Sequence, residues 1–139
     1  KNNNLKINFN IFGEGPMFSK LKKMKLNKNI YFHGWGDKKK IYSLTDIVII
    51  TSTINNFPYV ALESISNGIP IVSTSKGDIR HIIKNSKNGF IKQTKSSAEV
   101  IKLIDKVINN YKKFSMNALR HVKKFDETNS LKLFWKKIL

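Results

Sequence analysis

The chain has 139 residues, of which 40% are hydrophobic, and this is enough for one ordinary core and too little for two full domains. It has no cysteine, which excludes disulfide frameworks and thiolate chemistry, and no apolar run approaches the roughly 18 to 20 residues of a membrane-spanning helix. The net charge of +17 is carried almost wholly by dispersed lysines, with Arg80 and Arg120 the only arginines, so guanidinium-based reading of nucleic acid is not expected. A solvated lysine surface is the default reading, with attraction to anionic partners such as lipid headgroups as the functional alternative.

Short apolar, β-branched runs alternate with amphipathic stretches along the whole chain, which predicts an α/β fold. The expected architecture is a Rossmann-like parallel sheet with helices on both faces, in a single domain over residues 1–139. Ile7–Phe12 reads as a strand ending at Gly13, Glu14, Gly15 and Pro16, followed by a helix with Met17, Phe18, Leu21 and Met24 as its apolar stripe. Ile30–His33 is the next strand, with His33 as a buried strand-end histidine. Gly34, Trp35, Gly36 and Asp37 then lead into a short helix with Ile41 and Leu44 inward. Asp46 opens the strand Ile47–Ile50, apolar on both faces and therefore expected at the centre of the sheet. A loop over Thr51–Asn56 precedes a helix that has Pro58 early in it and ends at Gly68.

Pro70–Ser73 is a further strand, and Lys76, Gly77 and Asp78 form a loop with Asp78 as the cap of a short helix burying Ile79, Ile82 and Ile83. Asn88 and Gly89 turn the chain into Phe90 and Ile91. Ser96 or Ser97 should cap a long helix carrying Val100, Ile101, Ile104 and Val107, and the segment with Leu131, Leu133, Phe134, Trp135 and Ile138 reads as helical. The opening residues Lys1, Asn2, Asn3 and Asn4 lack the apolar stretch of a signal peptide, and with the missing cysteines this suggests a cytoplasmic protein.

The segment from Asn55 to Val72 holds a strand exit, a helix and the next strand. Glu63 is its lone carboxylate, inside a helix whose amino end follows a buried strand, an arrangement by which α/β proteins hold a nucleotide phosphate together with its ribose. Pro58 has no N–H, so the helix-start donors would be the amides of Phe57, Tyr59 and Val60. His33, His81 and His121 lack metal-ligand spacing, and no nucleophile–base arrangement is evident, so neither a metal nor another cofactor is expected.

From about Leu5 onward the chain resembles the C-terminal half of the nucleotide-binding domain of retaining glycosyltransferases of the GT-B fold, in family four, the glycosyl transferases group 1. Four landmarks carry the resemblance in order: Phe12 to Pro16 after the first strand; Phe32, His33 and Gly34 before a helix ending in Leu44, Thr45 and Asp46; Asn55 to Glu63 followed by Asn67 to Val72; and Asn88, Gly89 and Phe90. In the family two glutamates flank the amino end of the helix, the later binding the ribose hydroxyls and the earlier facing the donor sugar. Glu63 matches the later one, and a carboxylate suits a vicinal diol because it accepts two charge-assisted hydrogen bonds. The earlier position is Asn55, which can bond a hydroxyl but supplies no charge; the alternative is that Asn55 merely serves the turn.

By the same resemblance, Gly15 and Gly34 would allow close approach of the nucleotide and Trp35 would lie against its base; the alternatives are an ordinary turn and a partly buried aromatic. A second departure lies in the loop Ser75–His81, where Asp78 and His81 stand in place of a family glycine and glutamate.

The resemblance implies a donor domain that binds a nucleotide diphosphate sugar and passes its hexose to a saccharide or lipid-linked acceptor, in surface polysaccharide or lipopolysaccharide assembly. The family's first strand–helix unit and its acceptor domain have no counterpart here, so the chain is expected to be part of a larger assembly and to be inactive alone. Peripheral attachment to an anionic inner membrane face fits the charge. Two alternatives stand beside this reading: a catalytically impaired binding module of the same fold, which Asn55 and the altered loop favour, and a basic polyanion or membrane-surface binder.

Overall fold

The structure, a computed structural model, describes residues 7–24, 27–55 and 58–125. The chain divides into two compact units, residues 1–43 and 44–139.

In the first unit, β1 (Phe9–Phe12), α1 (Phe18–Lys23), β2 (Ile30–Gly34) and α2 (Lys38–Ser43) follow one another as the alternation predicts. β1 and β2 pair in parallel, Phe9 opposite Ile30 and Ile11 opposite Phe32, with an irregularity at Phe12. A ladder this narrow offers little surface to bury a helix on. Phe18 of α1 meets Phe32 edge-on, but the rest of the expected stripe is less covered: Met17 and Met24 are exposed and no residue of α1 is fully buried. His33 is also exposed, not buried as expected. Its imidazole stacks on Phe12 and shares a 2.8 Å hydrogen bond with Asn10 Oδ1, both side chains lying on the open face of the ladder.

The second unit contains β3 (Val48–Ile50), β4 (Ile54–Asn55), α3 (Tyr59–Ser66), β5 (Ile71–Ser73), β6 (Lys76–Gly77), α4 (Ile79–Ile82), β7 (Gly89–Ile91), α5 (Ser97–Ile108) and α6 (Tyr111–Val122), with a 3₁₀ turn over Lys123–Phe125. Its main sheet is parallel, in the order β3-β5-β7. The centre is β5, buried at every residue, and β3 lies at the edge of the three strands with Val48 and Ile49 only half-buried. Both strands are wholly apolar or nearly so, and composition alone does not say which is flanked on both sides. Leu44, expected inward, is exposed.

Ile71 joins Ile50, Ala61, Ile65, Ile79 and Ala118 in one core, built with α3, α4 and α6. Val72 points to the opposite face by strand alternation, and α5 packs on β5 as well, burying Leu103, Ile104 and Val107 outside that core. The helical face is centred on Val100, Leu103, Ile104 and Val107; Ile101 falls off this arc and is half exposed.

Chain reversals use the expected residues. Gly68 ends α3 at φ 70°, in the left-handed region, where a Cβ would also crowd Ser115 Oγ at 3.1 Å and Leu119 at 3.2 Å. Gly89 has no room for a side chain, since a Cβ there would lie 2.1 Å from the Ile71 carbonyl oxygen. The fully buried Asn88 fastens the end of α4, donating from Nδ2 to the Ile82 carbonyl at 2.9 Å and accepting the Lys84 amide at 2.7 Å. Ser96 caps α5, its Oγ accepting the Glu99 amide. Asp78 stands at the start of α4 but its side chain does not cap it, because its backbone (φ −74°, ψ −7°) is already helical and capping geometry needs an extended residue. The helix expected around Leu131–Ile138 lies outside the described residues.

Candidate functional site

Beyond the carboxyl end of the main sheet the segments leaving β3 and β5 continue side by side. The Ile50 carbonyl accepts the Thr74 amide at 3.0 Å and the Ser73 hydroxyl at 3.1 Å, and the Ser52 carbonyl accepts the Ser75 hydroxyl at 2.5 Å. The Thr53 carbonyl accepts the Lys76 amide, and the two segments then pair as β4 and β6, with Asn55 opposite Gly77. The described part of the expected loop, residues 51–55, is thus tethered to the segment leaving β5 and ends in a short ladder of its own. The buried hydroxyls of Ser73 and Ser75 take part in the tether, bonding backbone that the ladder leaves over. The Ser73, Thr74, Ser75 run was the signal for it, since short hydroxyl side chains satisfy backbone groups locally.

α3 starts where this tether ends. Pro58 occupies its N-cap in an extended conformation (φ −70°, ψ 119°) and brings no side-chain acceptor, while its carbonyl accepts the Ala61 amide at 2.9 Å. The amides of Tyr59 and Val60 therefore start the helix without a side-chain cap, at the positive end of the macrodipole. Both residues are exposed, Tyr59 at 76%. The inner face of α3 is Ala61, Ser64 and Ile65, with Ser64 Oγ donating to the Val60 carbonyl at 2.6 Å.

Glu63 sits one turn after Tyr59 on the same side of the helix, and is half-buried. Its carbonyl accepts the Asn67 amide, Asn67 Nδ2 at 2.8 Å and Ser66 Oγ at 2.8 Å, which fixes the helix end behind it. Phe57 and the side chain of Asn55 lie outside the described residues.

The remaining candidates belong to the first unit. Gly15 is exposed, and nothing lies within 4 Å of where a Cβ would stand, so its backbone is open to approach. Gly34 has φ 71° and is buried, its carbonyl accepting the Gly13 amide at 2.7 Å; the turn itself requires glycine there. Trp35 is 77% exposed, so its indole is not a partly buried aromatic. Among the described residues no group of three His, Cys, Asp or Glu is placed to hold a metal ion. His81 lies 3.9 Å from the Asp78 carboxylate, and its carbonyl is bonded to His121 Nε2 at 3.1 Å.

A parallel sheet with helices packed around it, and a helix that starts beyond its carboxyl end, define an α/β domain of the Rossmann-like type. The sequence profile of the glycosyl transferases group 1 matches residues 1–124, and the chain belongs to that family. It is 28% identical over 129 residues to the poly(glycerol-phosphate) alpha-glucosyltransferase of Bacillus subtilis, covering 86% of this chain and 19% of that protein. It is 26% identical over 138 residues to an Escherichia coli galactosyltransferase named UDP-Gal:alpha-D-GlcNAc-diphosphoundecaprenol alpha-1,3-galactosyltransferase, covering 88% of this chain and 36% of that protein. Among solved structures, the pneumococcal O-GlcNAc transferase GtfA in complex with UDP and GlcNAc superposes with a TM-score of 0.78 at 19% identity, over 94% of this chain and 29% of that one. The fold is that of a GT-B glycosyltransferase C-terminal domain, and the chain spans about a fifth to a third of the curated relatives' length.

Proposed function

We propose that the chain is the donor-binding domain of a retaining glycosyltransferase, which moves a hexose from a nucleotide diphosphate sugar to a saccharide or lipid-linked acceptor in surface polysaccharide synthesis on the cytoplasmic side of a membrane. The observation that carries this is the start of α3: uncapped amides at Tyr59 and Val60, with Glu63 on the same side one turn on. Those amides, with that of Phe57, suit a diphosphate, whose negative charge grows as the sugar leaves; fixed dipoles stabilise such a charge without reorganising. Glu63 accepts hydrogen bonds from the two ribose hydroxyls and so sets the nucleotide's position along the helix. Asn55, entering from β4, orients a sugar hydroxyl. No metal takes part, because the helix amides and the dipole behind them stabilise the leaving group.

The acceptor site lies outside these residues, so the chain alone binds donor weakly and transfers nothing. Titrating UDP- and other nucleotide sugars into the full-length polypeptide that carries this chain tests the reading. Saturable binding that Glu63→Ala abolishes supports it, and binding indifferent to Glu63→Ala refutes it. A second reading, a binding module of the same fold that has lost catalysis, is favoured by the neutral Asn55 where the family has a glutamate. Asn55→Glu separates the two: transfer that appears only in the variant identifies an impaired module, and transfer already present in the native protein excludes it.

A further inference from the structure

We propose that the outward face of α6 is a docking surface for an anionic lipid bilayer. α6 is held down by Phe114 and Ala118, which are buried, and it packs along α3. On its opposite arc Lys112, Lys113, Met116, Leu119 and Arg120 fall within about a third of a helical turn of one another, and all are exposed, Met116 at 42% and Leu119 at 45%. Lys123 and Lys124 in the following 3₁₀ turn extend the arc.

No Asp or Glu occurs between Asp105 and Asp126, and no carboxylate among the described residues pairs with Lys112, Lys113 or Arg120. Tyr111 at the amino end of the helix feels Asp46, and burial together with this negative charge holds the phenol above its usual range. The rest of the arc is cationic around Met116 at its centre, with Leu119 at the edge beside Gly68. A cationic rim attracts anionic headgroups while a methionine and a leucine enter the headgroup and acyl boundary, the composition of helices that lie in a membrane surface. Nucleic acid would match the charge but not the apolar centre, and the arc has one arginine and no aromatic on which a base could stack.

The inference is independent of the donor-site reading. It is tested by sedimenting the full chain with vesicles of phosphatidylcholine mixed with phosphatidylglycerol, and with phosphatidylcholine alone. Binding to the anionic vesicles alone, weakening as salt is raised, is expected. Each neutralised cation should lower the partition about fivefold, so Lys112→Gln, Lys113→Gln and Arg120→Gln together should lower it on the order of a hundredfold. Met116→Asp, which keeps every cation, should lower it as well, with an unchanged circular dichroism spectrum. Equal losses from Lys20→Gln, Lys22→Gln and Lys23→Gln on α1 would show diffuse basicity and overturn the proposal. So would no effect of Met116→Asp, tighter capture of an oligonucleotide than of vesicles, or a dimer in solution that Met116→Asp dissolves. Glu63→Ala should leave vesicle binding intact, so failure of the donor reading and failure of this one are read separately.

Discussion

Asn88→Ala should destabilise the second unit more than any exposed substitution. Asn88 has no accessible surface, and its amide group joins the end of α4 to the start of β7 through Nδ2 to the Ile82 carbonyl and Oδ1 from the Lys84 amide, at 2.9 and 2.7 Å. Removing it strands one acceptor and one donor, each costing about 1–3 kcal/mol when buried. Lys84 belongs to the exposed residues, so water can reach part of the loss there, and a total of about 2–4 kcal/mol is expected. In urea this lowers the midpoint by ~1–2 M at unchanged slope, followed by far-ultraviolet circular dichroism.

Asn88→Asp is the sharper variant. Its neutral form keeps the acceptor for Lys84 and can donate its O–H to the Ile82 carbonyl, whereas the ionised form has no donor for Ile82 and places a charge in a buried site. Burial raises its folded pKa above the unfolded value of about 3.9, so the neutral form is favoured on folding. Stability is then best below the unfolded value and declines as pH rises through the folded one. The deficit relative to the native chain should be larger at neutral pH than near pH ~4. An Asn88→Ala cost below about 0.5 kcal/mol, or an Asn88→Asp deficit that does not change with pH, would refute the assigned role.

Other outcomes follow from the same geometry. Gly89→Ala places a methyl 2.1 Å from a backbone oxygen, and the expected result is loss of soluble folded protein, checked by expression and circular dichroism. Ser96→Ala removes the cap of α5 and should cost about 1 kcal/mol in urea unfolding. Glu99 is held below its ordinary value of 4.5 chiefly by its bonds to Lys92 and to the Thr94 hydroxyl. A lowered carboxylate contributes stability that is present above its unfolded pKa and lost as pH falls through the folded one. Glu99→Gln should therefore narrow the stability gap between neutral and acid pH, by a modest amount because the group is exposed, as read from melting temperatures below and above pH 4.5.

Much of the fold was legible because strand and helix periods alternate cleanly and the reversals use residues with one purpose. Gly68 at positive φ, Ser96 as a cap, and Asn88 with Gly89 at a close backbone crossing are local solutions, and local chemistry is what a sequence carries. What was misread depends on pairing or on neighbours. β3 and β5 are alike in composition, and only the partner strands decide that β5 is central. Leu44, Met17 and Met24 follow helical spacing yet stay exposed, since spacing defines a face but not what covers it.

The two-residue ladder of β4 and β6 is too short to show any period. α6 was not singled out among the C-terminal helices, and its outward stripe combines apolar with basic residues, which blurs the usual contrast between faces. At the candidate site, Pro58 and Glu63 could be placed from the sequence because both act through their position on a helix. The roles of Asn55 and Phe57 depend on where a loop aims them.

The donor claim is tested most directly by a two-by-two titration in the full-length polypeptide: UDP against its 2′,3′-dideoxy analogue, with native Glu63 and with Glu63→Gln. A hydrogen bond to a charged acceptor contributes about 1.5–3 kcal/mol, so Glu63→Gln should weaken UDP by roughly 10- to 100-fold. The dideoxy analogue, already lacking the hydroxyls, should bind native and variant protein alike. If both nucleotides lose the same affinity, or neither loses any, Glu63 does not hold the ribose.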